Sequence, residues 1–261
     1  MINVLKCYII NLDRAADRWD GIADKFSAHG LDVVRIPAID GKDIQFPHPD
    51  FAAWRYFLYF GRKVTPSKIA CYFSHIKAIR TFLESGDDHA MICEDDVYPR
   101  PELRNVVDAA MEYSHAWDML RLNGIRQPKS LKFADLVPGY SLVSDLRYVS
   151  GNGAKIVNRY CAERIVQKLL PMRLPHDVTL FYDWPIGIRE VSVNPFPIVL
   201  NEALESTIGS QPRYPAFHPV ILRHLTSFPY RMCSRSTRLV SRCAAAIGRY
   251  LFPPKPVSKD N

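Results

Sequence analysis

Three consecutive acids, Glu94-Asp95-Asp96, follow the short apolar run His89-Ala90-Met91-Ile92-Cys93. Carboxylates held this close repel one another, and a divalent cation among them lowers that cost. Hard oxygen ligands suit Mg²⁺ or Mn²⁺, which usually keep coordination sites for a substrate's phosphates. A cation bridging two phosphates would neutralise a departing diphosphate. Alternate residues of an extended segment face the same side, so Glu94 and Asp96 are the expected metal or nucleotide contacts and Asp95 turns toward the scaffold. The competing reading is a solvated acidic turn that caps a helix over 102–115.

These acids need a strand to deliver them, because ligand sites in open α/β sheets lie outside the carboxyl ends of the strands. Residues 89–93 read as that strand. Upstream, residues 4–12 are β-rich, Trp19, Ile22, Ala23 and Phe26 recur at helical spacing up to Gly30, and 31–39 return to strand composition. This is a βαβ pattern. Thr65-Pro66-Ser67 gives an N-cap with proline in the first turn, and Ile69, Phe73, Ile76, Ile79 and Leu83 continue one buried helical face to Gly86. The stretch 40–64 carries no firm assignment.

Beyond the acids, the pattern predicts a strand at 117–122, a loop with Pro128, Pro138 and Gly139, a strand at 146–150 and a turn at Gly151-Asn152-Gly153. A helix at 158–170, a short helical element at 175–182, and strands near 187–193 and 196–200 follow. The alternation predicts an α/β fold with a single, mostly parallel, Rossmann-like sheet flanked by helices.

The composition of the 261 residues, 48% hydrophobic and 23% charged, is that of an ordinary globular chain and excludes collagen, coiled coil and wholesale disorder. The six cysteines form no CxxC pair and read as buried thiols of a reducing compartment. The apolar start is interrupted by Lys6 and closed by Asp13 and Arg14, which fits neither a signal peptide nor a membrane span.

The net charge of +7 is carried by the tail, since no acid occurs between Glu205 and Asp260. Within 232–252, Arg235, Arg238, Arg242 and Arg249 share one helical stripe, with Val240, Ala244, Ile247 and Leu251 opposite. The expectation is a basic amphipathic helix resting on an anionic membrane surface at the cytoplasmic face. The alternative is a helix that docks its apolar side on the domain and leaves its arginines in solvent. Aromatics are not interleaved with the basic residues, which argues against nucleic acid. The expected division is a catalytic domain at 1–208 and a basic tail at 209–261.

Tyr8-Ile9-Ile10-Asn11-Leu12-Asp13-Arg14 with Arg18, then Ile69-Ala70-Cys71-Tyr72-Phe73-Ser74-His75, then Cys93-Glu94-Asp95-Asp96-Val97, occur in this order with Gly151 to Val157, Pro175-His176-Asp177 and Asn201 to Ser206 downstream. Together they resemble glycosyltransferase family 25, the group of lipooligosaccharide galactosyltransferases and procollagen galactosyltransferases. The resemblance covers about 4–208. It implies a GT-A-type fold, an inverting transfer, a UDP-hexose donor, and usually Mn²⁺ or Mg²⁺.

Carried onto this chain, the resemblance makes Asn11, Arg14, Arg18, Ser74, His75 and Asp95 the nucleotide-sugar contacts and Glu94 and Asp96 the metal ligands. Guanidinium forks beside a helix start suit phosphate or uracil. Related sequences usually carry an aromatic where this chain has Lys155, and Pro-Val-Asp where it has Pro175-His176-Asp177. Displacement at an anomeric carbon also needs a base for the attacking hydroxyl. Asp177 is the first candidate, with an N-cap as its bland alternative, and Asp183 is the reserve. The implied acceptor is a lipid-linked saccharide. A phosphoryl or nucleotidyl transferase, or a membrane-associated nucleotide-sugar-binding protein without turnover, are the other classes the same residues would serve.

Overall fold

The structure is a computed structural model that describes residues 5–62, 64–147, 149–181, 186–201 and 225–257. Its first unit is the expected βαβ: β1 (Lys6–Asn11), α1 (Ala16–Ser27) and β2 (Asp32–Pro37), with the strands parallel. The unassigned stretch after it supplies α2 (Ala53–Phe60), and the capped pattern at Thr65 opens α3 (Pro66–Ser85). Thr65 Oγ1 accepts from Lys68 N at 3.4 Å, as an N-cap should. The remaining elements are β3 (His89–Glu94), β4 (Val97–Pro99), α4 (Leu103–Met111), β5 (Met119–Arg121), β6 (Ser130–Asp135), β7 (Ser141–Asp145), β8 (Ala154–Asn158), α5 (Arg159–Leu169), α6 (His176–Phe181), β9 (Glu190–Asn194), β10 (Ile198–Leu200) and α7 (Ser227–Leu251).

Eight strands form one sheet in the order β2-β1-β3-β8-β5-β9-β7-β6, and β4 pairs separately with β10. Six strands of the large sheet run one way, and β8 and β7 run against them. The sheet is therefore α/β and mostly parallel in direction, with two reversed strands that the pattern did not announce. Two differences account for this. The expected loop after residue 128 is the antiparallel pair β6 and β7, and residues 154–157, left unassigned between the expected turn at 151–153 and the expected helix from 158, belong to a central strand. Both neighbours of β8 are buried, so its apolar residues need no alternation and carry little periodic signal.

Each face of the sheet carries its own core. Tyr8, Ile92 and Met119 pack with Tyr56, Phe82 and Ile165 on one side, while Ile9, Met91 and Leu120 pack with Phe26, Val106 and Trp117 on the other. All are nearly or wholly buried, each contributing about 1.5–3 kcal/mol of apolar transfer.

The C-terminal helix corrects the tail reading. Part of its arginine stripe turns inward while Arg235 stays exposed: Arg242 is buried and donates to Glu190 and, at 3.3 Å, to the Asp145 carbonyl, and Arg249 donates to Ser144 Oγ at 2.9 Å. Phe228, Met232, Leu239, Val240, Ile247 and Leu251 are exposed instead. Neither expected orientation occurs, because buried acids inside the domain, Glu190 above all, compete for the guanidinium charge. No helix among the described residues is long and apolar enough to cross a membrane. Of the cysteines, Cys7, Cys93 and Cys161 are buried, but Cys233 is exposed.

Candidate active site

β3 ends on Glu94, and the next two residues turn into β4, so the three acids stand at the carboxyl edge of the sheet. Glu94 N donates to Gly153 O at 2.8 Å, and Asn201 N donates to Asp96 O at 2.8 Å, which fixes the turn from both sides. Gly153 is required there: a Cβ would lie 2.8 Å from Val97 Cγ1 and 2.9 Å from Asn123 Oδ1.

The acid corner joins two hollows. A narrow cleft is lined by Arg14, Arg18, Ile39, Ser74 and His75 together with all three acids. A larger cavity of about 800 Å³ is lined by Asp177, Asn123, Asn152 and arginines of α2's end and α7. Cys71, Glu94 and Asp96 line both. Gly41, which lines the cleft, lets the turn after β2 press on the start of α3, where a Cβ would sit 2.7 Å from Ser67 N.

The expected contacts separate into two roles. Arg18 Nη1 lies 3.9 Å from Asp95 Oδ1, and Arg14 donates to Asp40; both line the cleft. Ser74 Oγ donates to Ala70 O at 2.7 Å and accepts from Ile39 N at 2.9 Å, holding a wall of it. Asn11 is placed differently from expectation. Its amide donates to Ala15 O and Asp95 Oδ2 at 2.9 and 2.7 Å, and its oxygen accepts two bonds from Arg35 at 3.0 and 2.8 Å. An amide has no further capacity, so Asn11 positions Asp95. Asp95, in the turn after β3, is held by Asn11 on the scaffold side and also lines the cleft beside Arg18.

Behind Glu94 lies a buried network. His75 Nε2 is 3.0 Å from Glu94 Oε1, His75 Nδ1 is 3.3 Å from Lys155 Nζ, and Lys155 Nζ is 3.4 Å from His176 Nε2. The two imidazoles stack with centroids 4.0 Å apart. An ammonium only donates, so His75 Nδ1 accepts from Lys155 and its Nε2 proton goes to Glu94. Burial, and then the Lys155 charge, holds His75 well below its ordinary pKa; for His176 burial leads, followed by His75 and Lys155. Burial lowers Lys155 to about 8.

The acids respond in the opposite sense. Burial raises Glu94, Lys155 opposes that rise, and Asp177 adds to it, which places Asp177 within electrostatic reach across more than eighty residues of chain. Burial, then Glu94 and Asp95, pushes Asp96 up to about 7. Its Oδ1 is buried with no hydrogen-bond partner among the described residues. A crowded carboxylate with an unused oxygen fits a hard divalent cation, with Glu94 as the second ligand. Cys71 Sγ, a His75 ring nitrogen and a Glu94 oxygen also lie within 4.8 Å of one another. That set fits a metal less well, because both His75 nitrogens are already engaged.

Asp177 lies in the first turn of α6, which begins at His176, so it is no N-cap residue of a helix over 178–182. Asp183 lies outside the described residues. Residues that the sequence reading missed are Asn123 and Asn152. Asn152 is buried on the cavity wall, and neither its Nδ2 nor its Oδ1 has a partner among the described residues. Only its place between two glycines hinted at this.

A family model described as glycosyltransferase family 25 (LPS biosynthesis protein) matches residues 4–138. A glycosyltransferase 25 family member of Aedes aegypti is 25% identical over 186 residues, 66% of this chain and 30% of that protein. One of Anopheles gambiae is 26% identical over 179 residues, 63% of this chain and 30% of that protein. The chain thus spans under a third of the length of these relatives. Among solved structures, a glycosyltransferase involved in the glycosylation of the major capsid of PBCV-1 aligns with TM-score 0.45 and 8% identity, covering 92% of this chain and 99% of that one.

Proposed function

Because the chain belongs to glycosyltransferase family 25, we propose that it transfers a hexose, galactose in the first instance, from a UDP-sugar to a saccharide hydroxyl with inversion. The observation that carries this reading is the acid corner shared by two hollows, one with two arginines for a nucleotide and one with a further carboxylate for an acceptor.

In this reading the nucleotide occupies the cleft beside Arg14 and Arg18, and the sugar points past Asp96 into the larger cavity. Glu94 and Asp96 would hold Mn²⁺ or Mg²⁺, which supplies charge stabilisation for the departing diphosphate. His75 donates to one Glu94 oxygen and leaves the other free to bind. Asp177 takes the proton of the acceptor hydroxyl as that oxygen bonds to the anomeric carbon, and the bond from that carbon to the phosphate oxygen breaks with its electrons leaving on UDP. The unpartnered amide of Asn152 suits hexose hydroxyls, which both donate and accept.

A lipid-linked acceptor, such as a lipooligosaccharide, fits the outward apolar stripe of α7, which would lie in a bilayer interface beside the cavity. This puts the protein at a membrane surface through apolar side chains. Flotation with neutral liposomes should then persist at high salt, and should fail for Leu239→Ser with Val240→Ser and Ile247→Ser.

Asp177→Asn tests the catalytic assignment. Turnover should fall by about 10²–10⁴-fold while UDP affinity stays within twofold. Full turnover would reject Asp177 as the base.

A further inference from the structure

α7 does more than cover the domain. At its start, Ser227 Oγ donates to Phe57 O and Leu58 O at 3.2 and 2.8 Å, and Tyr230 stacks on Tyr59 with centroids 4.3 Å apart. Further along, Arg242 reaches the buried Glu190, and Arg249 reaches Ser144. The helix is thereby pinned on both sides of the segment 231–238, and Arg231, Arg235 and Arg238 of that segment line the large cavity. Arg62 and Lys68 line it as well, so five basic side chains share the space with Glu94, Asp96 and Asp177.

In the proposed reading the acidic groups serve the cation and the base, and the wall facing them is basic. Neutral sugar hydroxyls do not need five cations. Guanidinium forks match phosphate oxygens in pairs, and their binding strength rises in a hollow that limits water. We propose that Arg231, Arg235 and Arg238 form an anion subsite of the cavity that holds a phosphate group of a bound substrate. The assignment rests on the transferase reading for what the cavity contains, but these three arginines lie beyond residues 4–138, the span of the family match. The phosphate has two possible sources, the donor's own diphosphate or a phosphate carried by the acceptor saccharide.

The test uses the full chain, in EDTA, with inorganic pyrophosphate, UDP and uridine titrated by calorimetry. Arg231→Gln with Arg235→Gln and Arg238→Gln should weaken pyrophosphate at least tenfold, whereas Lys132→Gln, an exposed change on β6 outside the cavity, should not. If the phosphate is the donor's, UDP competes with pyrophosphate and the triple variant also loses UDP but keeps uridine. If it is the acceptor's, the UDP-loaded protein still takes up pyrophosphate, and only that uptake is lost. Pyrophosphate binding that is absent from the wild type, or within twofold of it in the variant, overturns the subsite. Should the triple variant fail to fold, the exposed Arg235→Gln alone is expected to cost about threefold, and no loss there overturns it equally. A wild type that binds pyrophosphate but transfers no sugar would sink the transferase reading while leaving the subsite standing.

Discussion

Lys155 Nζ lies 3.4 Å from His176 Nε2 in the interior of the protein. These are the two positions at which the chain departs from the motif pattern it resembles, and the structure brings them into contact behind Glu94. A buried ammonium needs acceptors, and His75 and His176 supply them. In this chain the pair of Lys155 and His176 puts a positive charge beneath the acid corner.

Lys155→Met removes that charge and the donor that sets the His75 tautomer. Lys155 opposes the rise of the Glu94 pKa, so its loss lets Glu94 take up a proton at higher pH. The acid limb of the pH profile of kcat/KM should move to higher pH, while the His176→Val single change should move it less. An unmoved limb in Lys155→Met would show that Glu94 does not depend on the network.

Asp96 carries a stability signature. Its carboxyl sits at about 7 in the folded protein against an ordinary 3.8, so the native state binds the extra proton between those values. Stability of the cation-free protein should therefore fall as pH rises from about 4 to about 7. Asp96→Asn should flatten that slope and raise Tm at pH 7.5 by on the order of 5 °C. The same change should abolish any Tm increase given by Mn²⁺. A variant with an unchanged slope would remove Asp96 as the strained group.

Much of this corner was legible in the sequence. The apolar run ending in three acids predicted β3 and its carboxyl edge, and Thr65-Pro66 predicted where α3 starts. What could not be read were relationships set by tertiary pairing. Asn11 looked like a ligand contact because its partner, Arg35, lies one crossover away. Arg242 looked like part of a surface stripe because the acid it answers, Glu190, is an isolated carboxylate in a strand whose burial only the sheet order reveals. β8 escaped for the same reason, since a central strand buried on both faces has no period of its own.

Glu190 accepts from Arg121 at 2.9 and 2.6 Å and also from Arg242, and the two guanidiniums hold its carboxyl below the ordinary range despite burial that opposes the charge. Arg242→Met leaves this buried triad with one cation. Loss of a partner from such a cluster costs about 3–5 kcal/mol, equivalent to a Tm drop of roughly 10 °C. Limited proteolysis should cut within α7 first. A Tm within 2 °C of the parent, roughly a 1 kcal/mol change, would mean that the helix is not anchored through Arg242.

Two glycines give a contrast on one protein. Gly153→Ala pushes a methyl into Val97 and Asn123, costing about 1–3 kcal/mol and shifting the turn that carries Glu94. Turnover should fall more than tenfold with the fold retained. Gly21 in α1 has nothing within 4 Å of its added Cβ, so Gly21→Ala should stabilise the protein by about 0.5–1 kcal/mol and leave turnover alone. Equal effects from both changes would show that the strand-end turn is not tightly set.

The central claim is that the carboxylates closing β3 hold the leaving end of a nucleotide sugar. It is tested most directly by measuring sugar release from a panel of nucleotide sugars with Mn²⁺, for the parent chain, Glu94→Gln and Asp96→Asn. The account predicts release from a UDP-hexose by the parent and a loss of at least 100-fold in each variant, consistent with the removal of a charge-stabilising group. Release from no donor, or release undiminished in both variants, would contradict it.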